Sequence, residues 1–297
     1  MKLDKAWLFV LGAQKCGTTT LADLINEHPL VYVPPIKETY FFCDEMEYEK
    51  GSRWYLEEYY SSRRADAMQV HCDATPFYLA SRAAIDRIHT FVQGRRASFI
   101  VCLRDPVARA YSAYWHQRRL GNERLLFEEA LEVEGERIEK SIANRDRWWR
   151  HAYVEIGMYG KHLEYAVERL GKDRVLVLTE EDLASSRRAA ERVFSFAGLE
   201  VPHFDAASKR SNPAAMPRLK TLQSLVTREN VIKKLARAVV PRELRSAIGN
   251  RILELNSRRF TYPPMAQSTR ELLEQKFAED RGRLRGLGLP VPRSWAN

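Results

Sequence analysis

The sequence predicts an α/β fold, a parallel sheet flanked by helices, continued by a basic helical C-terminal region. Three observations predict it. Short apolar runs alternate with segments of helical spacing, the first apolar run enters a glycine-bounded loop and then a helix, and the positive charge is concentrated late in the chain. With 297 residues, 45% of them apolar, the chain can bury one large core. A single domain over 1–297 is expected, with an α/β core at 1–205 and a basic helical appendage at 206–297.

The first strand is Ala6–Leu11 (AWLFVL), apolar on both faces and followed at once by Gly12. The pattern of Thr19–Glu27 predicts a helix that stops before His28-Pro29. A second strand, Met68–Cys72, precedes the turn Asp73-Ala74-Thr75-Pro76 and a helix over Tyr78–Phe91. The third strand is Ser98–Leu103. Asp105-Pro106 then supplies an N-cap and a first-turn proline for a helix over Val107–Arg119. The charge-rich stretch 121–150 predicts solvated helices, and Met158–Leu170 a further helix ending at Gly171. A fourth strand, Arg174–Leu178, leads to a helix over Arg187–Ala197 closed by Gly198. Beyond Pro202, helices are predicted at Leu219–Val226, Ile232–Val239, Leu244–Leu255 and Thr269–Leu284. Alternating strands and helices place ligand contacts at the carboxyl ends of the strands.

The net charge is +9, yet Ala207–Arg259 holds thirteen Lys or Arg against three Glu, so the rest is close to neutral. Such a stretch suits an anionic partner, such as a nucleotide, an acidic glycan or a phospholipid surface. Its basic residues are not interleaved with stacking aromatics, so nucleic acid is not expected. The four cysteines have no CxxC pair, and buried free thiols are expected rather than a metal or disulfide site. The sequence has no run of eighteen apolar residues and no secretory leader pattern, which leads to the expectation of a cytoplasmic protein.

Gly12-Ala-Gln-Lys15-Cys16-Gly17-Thr18-Thr19-Thr20 lies between a strand and a helix, a P-loop-type arrangement that turns backbone amides and a helix N-terminus toward one anion. An ATP-binding loop places lysine directly after the second glycine. Here that position is Thr18, and the lysine is Lys15, inside the loop. Taken alone, the segment also fits an ordinary glycine turn. A second element is Arg104 at the end of the third strand. Asp105, Ala108 and Ser112 share one helix face, which turns Ser112 back toward Arg104, although a salt bridge would also account for that arginine. A forked guanidinium with a short hydroxyl suits a phosphate monoester.

The opening FVLGAQKCGTTTLADLINEHPLVYVPPIKETYFF, together with Val101-Cys-Leu-Arg104-Asp-Pro106 followed by Arg109, Tyr111, Ser112 and Tyr114, resembles the carbohydrate-type sulfotransferases, which include the heparan sulfate sulfotransferases. The resemblance implies 3′-phosphoadenosine 5′-phosphosulfate as donor and no metal. Its 5′-phosphosulfate would be held at Lys15, Cys16, Gly17, Thr18, Thr19 and Thr20, and its 3′-phosphate at Arg104 and Ser112. It also implies that Glu38, shortly before Phe41-Phe42, is the general base, that Gly157-Met158-Tyr159 approaches the adenine, and that Lys209 and Arg210 form a late basic loop on the nucleotide.

Lys15 is the cation placed to meet the charge of the leaving phosphate. Tyr40, Phe41 and Phe42 around Glu38 are expected to desolvate it and Lys37 to oppose that effect; a solvated loop carboxylate is the plainer alternative. His71 and His116 are the other candidate bases. Relatives often carry a lysine where this chain has Ala74, so the missing charge comes from Lys37 or the acceptor's surroundings, or else the acceptor differs chemically from heparan sulfate. The expected acceptor is a carbohydrate, a lipid-linked molecule or a small molecule, with Trp54, Tyr55, Tyr59, Tyr60, Trp148 and Trp149 as either sugar-stacking rings or core. Peripheral contact of the basic region with an anionic surface is a further expectation. The rival function, a P-loop nucleotide kinase or other nucleotide-dependent phosphotransferase, calls for lysine at Thr18 and a magnesium-binding aspartate where the third strand ends in Arg104.

Overall fold

A computed structural model describes residues 5–202, 215–217, 257–259 and 261–295. Among them, five strands form one parallel sheet in the order β2-β3-β1-β4-β5, with β1 at Ala6–Gly12, β2 at Val31–Tyr32, β3 at Val70–Asp73, β4 at Ala97–Leu103 and β5 at Val175–Thr179. β1 pairs with β3 through Ala6↔Val70 to Phe9↔Asp73, and with β4 through Trp7↔Ala97 onward. The chain builds one side of β1 before crossing to the other, so the switch between β1 and β4 opens a crevice at their carboxyl ends. Every residue of β1 from Trp7 onward is buried, as a strand covered by helices on both faces requires. Two short antiparallel strands, β6 at Ala215–Pro217 and β7 at Ser257–Arg259, pair separately.

The helices of the core are α1 (Thr18–Asn26), α2 (Glu45–Tyr48), α3 (Gly51–Tyr60), α4 (Arg63–Ala67), α5 (Arg82–Phe91), α6 (Pro106–Leu120), α7 (Phe127–Glu132), α8 (Glu134–Ala143), α9 (Tyr159–Leu170), α10 (Glu180–Leu183) and α11 (Ser186–Phe196). Asp105 caps α6 as expected, accepting from the amides of Val107 (3.0 Å) and Ala108 (3.2 Å), with Pro106 in the first turn. α5 begins four residues later than the sequence pattern suggests. Ser81 caps it, and Tyr78 instead turns its hydroxyl to Asp73. The charge-rich stretch after Gly121 is helical but not simply solvated. Glu123 is buried and accepts from Tyr153 Oη (2.8 Å) and Arg137 Nη1 (2.6 Å), while Glu134 takes the backbone amides of Val154 and Glu155. All four cysteines are free and buried, and burial raises the pKa of each thiol. No helix among the described residues is long and apolar enough to cross a membrane.

The C-terminal helix Gln267–Gly286 buries Thr269, Leu273, Phe277, Asp280 and Leu284, a three-and-four stripe, against the core. Its seat is α9. The Asp280 carboxylate accepts from the amides of Gly160 (2.7 Å) and Lys161 (2.8 Å), satisfying the first turn of α9 from a helix distant in sequence. Gly160 permits the approach, because a Cβ there would meet the Asp280 carbonyl oxygen and lie 2.9 Å from both Arg283 Cβ and Leu284 N. The predicted helices at Leu219–Val226, Ile232–Val239 and Leu244–Leu255 lie outside the described residues. Since backbone atoms on both sides of that contact cannot yield separately, Gly160→Ala is expected to cost about 1–3 kcal/mol in urea unfolding and to expose the C-terminal helix to protease. Wild-type stability with unchanged cleavage would show that the helix does not depend on this contact.

Candidate functional site

The loop between β1 and α1 is shaped by two residues in the left-handed region, Lys15 at φ 68° and Gly17 at φ 87°. No side chain caps α1 and no acidic residue stands in its first turn, so the positive end of the helix is left to attract an anion. Thr18 is buried at the helix start, and Thr19 and Thr20 are half-buried beside it. Cys16 is turned inward. Its amide donates to the Ala13 carbonyl (3.1 Å), and its thiol lies 3.8 Å from the Gln14 carbonyl and 3.4 Å from Tyr159 Oη, so it braces the loop from below.

Lys15 is the centre of the charge arrangement. Burial lowers its ammonium from 10.5 to about 8, helped by Arg119 and Arg104 and opposed by Glu38. Lys37 links the loop to the candidate base, donating to Thr19 Oγ1 at 3.1 Å and standing 3.2 Å from Glu38 Oε1. The Glu38 side chain is 30% exposed and accepts the Tyr40 hydroxyl at 2.5 Å. Phe41 and Phe42 do not desolvate it as expected. Both rings enter the core, Phe41 stacking on Tyr55 and Phe42 edge-on to Phe91.

Behind Glu38 stands a residue that sequence reasoning passed over. Asp73 is fully buried at the end of β3. Its Oδ2 accepts from Thr39 Oγ1 (2.7 Å), Tyr55 Oη (2.8 Å) and Tyr78 Oη (3.0 Å), and its Oδ1 from Thr75 Oγ1 (2.8 Å). The Thr75 hydroxyl in turn accepts from the Thr39 amide at 3.0 Å, which fixes the backbone next to Glu38. Burial raises the Asp73 pKa and the four hydroxyls oppose the rise. The turn DATP was noticeable in the sequence for its missing lysine alone, and Ala74 is indeed fully buried and supplies no charge.

Arg104 and Ser112 line one open hollow of about 260 Å³, together with Ala108, one helical turn before Ser112 on α6. Asp105 is committed to its cap, so Arg104 leans instead on Glu180, Nε to Oε2 at 3.8 Å with both side chains 37% exposed, a weak contact. Tyr262, Met265 and Arg270, from the C-terminal segment, line the same hollow. None of these three was singled out from sequence, since nothing local marks them.

Other expectations change. Tyr159 is fully buried, its ring edge-on to Trp295, so it has no open face for adenine; Gly157 lies against the Phe277 ring. His71 is held in the amino-terminal half of the sheet, opposite Trp7, with Nε2 3.1 Å from the Ala65 carbonyl, and is therefore remote from the strand ends. His116 does stand near Lys15, but burial, Lys15 and Arg119 push its pKa down to about 3, too low for a useful base near neutrality. Tyr55, Tyr59, Tyr60 and Trp149 are core; Trp54 and Trp148 are half-buried. Lys209, Arg210 and most of the basic stretch lie outside the described residues.

The family model for the sulfotransferase domain matches residues 5–237. Human heparan sulfate glucosamine 3-O-sulfotransferase 3B1 is 31% identical over 193 residues, covering 64% of this chain and 45% of the relative. The membrane-associated sulfotransferase kil1 of Dictyostelium discoideum is 29% identical over 145 residues, covering 47% and 30% respectively. The chain thus spans less than half the length of these curated relatives. The crystal structure of a sulfotransferase from Alicyclobacillus acidocaldarius shares the fold, with a TM-score of 0.65, 22% identity and 98% of each chain covered.

The charge cost at Lys15 yields a test that needs no substrate. Its folded pKa lies below its unfolded one, so between about pH 8 and 10.5 the unfolded chain holds the extra proton, and below pH 8 the whole cost of the buried ammonium is present. Lys15→Met should therefore raise the melting temperature of the ligand-free protein at pH 7 by about 2 °C or more, with the gain shrinking as pH rises through that window, while inorganic pyrophosphate binding is lost. A melting temperature below wild type at pH 7 would show that the ammonium is stabilising.

Proposed function

The chain belongs to the sulfotransferase domain family, and from that premise we propose that it transfers the sulfuryl group of 3′-phosphoadenosine 5′-phosphosulfate to a hydroxyl or amine of a carbohydrate, lipid-linked or small-molecule acceptor. The observation that carries this reading is the convergence on Lys15, whose ammonium feels Arg119 and Arg104 together with the carboxylate of Glu38. Lys37, 3.1 Å from Thr19 Oγ1 and 3.2 Å from Glu38 Oε1, ties the loop that would cradle a leaving phosphate to the candidate proton acceptor, the neighbourhood an in-line displacement requires. The glycan-acting names among the relatives favour a carbohydrate acceptor. A phosphotransferase is not favoured, because Thr18 stands where its lysine belongs and β4 leads into Arg104 rather than an aspartate.

In this mechanism the loop amides and Lys15 bind the 5′-phosphosulfate, and Arg104 with Ser112 binds the 3′-phosphate. Glu38 takes the proton of the acceptor as its oxygen or nitrogen attacks sulfur, and Lys15 meets the charge growing on the departing phosphate oxygen. Lys37, between Thr19 and Glu38, takes the place of the cation that Ala74 cannot supply. Tyr40 and the Asp73 network hold Glu38 in its orientation.

Two measurements test the reading. 3′-Phosphoadenosine 5′-phosphate should raise the melting temperature in the presence of a chelator, and ATP much less; equal stabilisation by ATP with a magnesium requirement would overturn the donor. With labelled donor and a panel of glycan, lipid-linked and phenolic acceptors, Glu38→Gln should lower turnover by about 10²–10⁴ while donor binding persists. Near-normal turnover would remove Glu38 as the base.

A further inference from the structure

The hollow beside α6 is built from two distant parts of the chain, and each contributes an arginine. Arg104 and Ser112 come from the β4–α6 junction, Tyr262, Met265 and Arg270 from the segment leading into the C-terminal helix, and no lining residue is acidic. We propose that Arg270 is a donor-specificity residue that clamps the 3′-phosphate of the nucleotide together with Arg104, making the C-terminal helix part of the donor site. The inference rests on the donor reading above and adds to it a residue that no local motif marks.

The position of Arg270 is fixed before any ligand arrives. Tyr111 Oη, on α6, donates to the Pro263 carbonyl at 3.0 Å, and the Tyr262 ring lies parallel to Trp115, 5.7 Å between centroids and 8° between planes. The residue preceding Arg270 is also anchored, since Thr269 Oγ1 donates to Glu128 Oε1 of α7 at 2.7 Å. The C-terminal helix has no side-chain cap and no acidic residue in its first turn, so its start adds positive potential at the same rim.

Arg270 is available as well as positioned. Its ion pair is to Glu274 one turn on, Nη1 to Oε1 at 3.6 Å with 42% and 54% of the side chains exposed. An exposed pair of that length contributes little and is readily exchanged for a phosphate. Arg104 leans on Glu180 just as loosely, at 3.8 Å. A phosphate monoester dianion has oxygens enough to accept from both guanidinium forks and from Ser112, and such charge-assisted bonds are the strong ones. A 3′-hydroxyl offers neither charge nor oxygens for two arginines, so the clamp separates 3′-phosphorylated nucleotides from their 3′-hydroxyl counterparts.

Calorimetry on the full chain with 3′-phosphoadenosine 5′-phosphate and with 5′-AMP decides the matter. Wild type should prefer the 3′-phosphorylated nucleotide. Arg270→Ala should cut that preference by about ten- to a hundredfold with 5′-AMP affinity unchanged, and Arg270→Lys should restore only part of it, a point charge replacing a fork. Because the ion pair of Arg270 is the loose one to Glu274, the ligand-free melting temperature should stay near the wild-type value. If Arg270→Ala keeps the full wild-type preference, or loses both nucleotides equally, Arg270 does not hold the 3′-phosphate. A wild-type protein without any preference would instead refute the donor assignment itself, a result visible before any variant is made.

Discussion

Asp73 is a fully buried carboxyl with no salt-bridge partner among the described residues, and the neighbourhood of Glu38 is organised around satisfying its oxygens. A buried carboxylate is tolerated when hydrogen bonds replace its lost hydration. Here they come from four hydroxyls on three separate pieces of chain, namely Thr39 in the loop after β2, Tyr55 on α3, and Thr75 and Tyr78 after β3. The network therefore joins the carboxyl end of β3, the helix α3 and the loop bearing Glu38 into one unit. Removing any donor leaves the carboxylate under-satisfied, so the loop is held by the cost of letting go as much as by the strength of each bond.

The other half of the site is assembled on the opposite principle. Lys15, Arg104 and Arg119 are brought near one another without a carboxylate for each, and the ammonium of Lys15 titrates low as a result. Like charges held together and desolvated are unfavourable until an anion enters. An anion bound there would offset that cost. Glu38, tied to both Lys37 and Tyr40, is placed where the two halves meet.

The C-terminal helix connects this chemistry to the rest of the fold. Its Asp280 completes the first turn of α9, and α9 through Tyr159 braces Cys16 beneath the phosphate loop. Further along, Ser294 Oγ donates to Glu180, the carboxylate on which Arg104 leans. A segment that reads as an appendage thus reaches the loop through Tyr159, the Arg104 region through Glu180, and the hollow beside α6 directly.

By itself the sequence determined the parallel sheet, the helices that flank it and the glycine-bounded loop between β1 and α1, because these depend on local signals: apolar runs at Ala6–Leu11 and Ser98–Leu103, the glycines around Lys15, and the Asp105-Pro106 helix start. It also determined that Asp105, Ala108 and Ser112 share a helix face, which turns Ser112 back toward the strand end at Arg104. Only the tertiary structure decided where the long-range partners fall. It sent Phe41 and Phe42 into the core instead of around Glu38, enclosed Tyr159 under Trp295, set His71 at the wrong end of the sheet, and brought Asp280 to α9 and Arg270 to Ser112. The physical reason is common to all of these. A side chain's burial and partners depend on which elements pack over it, and packing joins residues whose separation along the chain leaves no periodic or spacing signal to read.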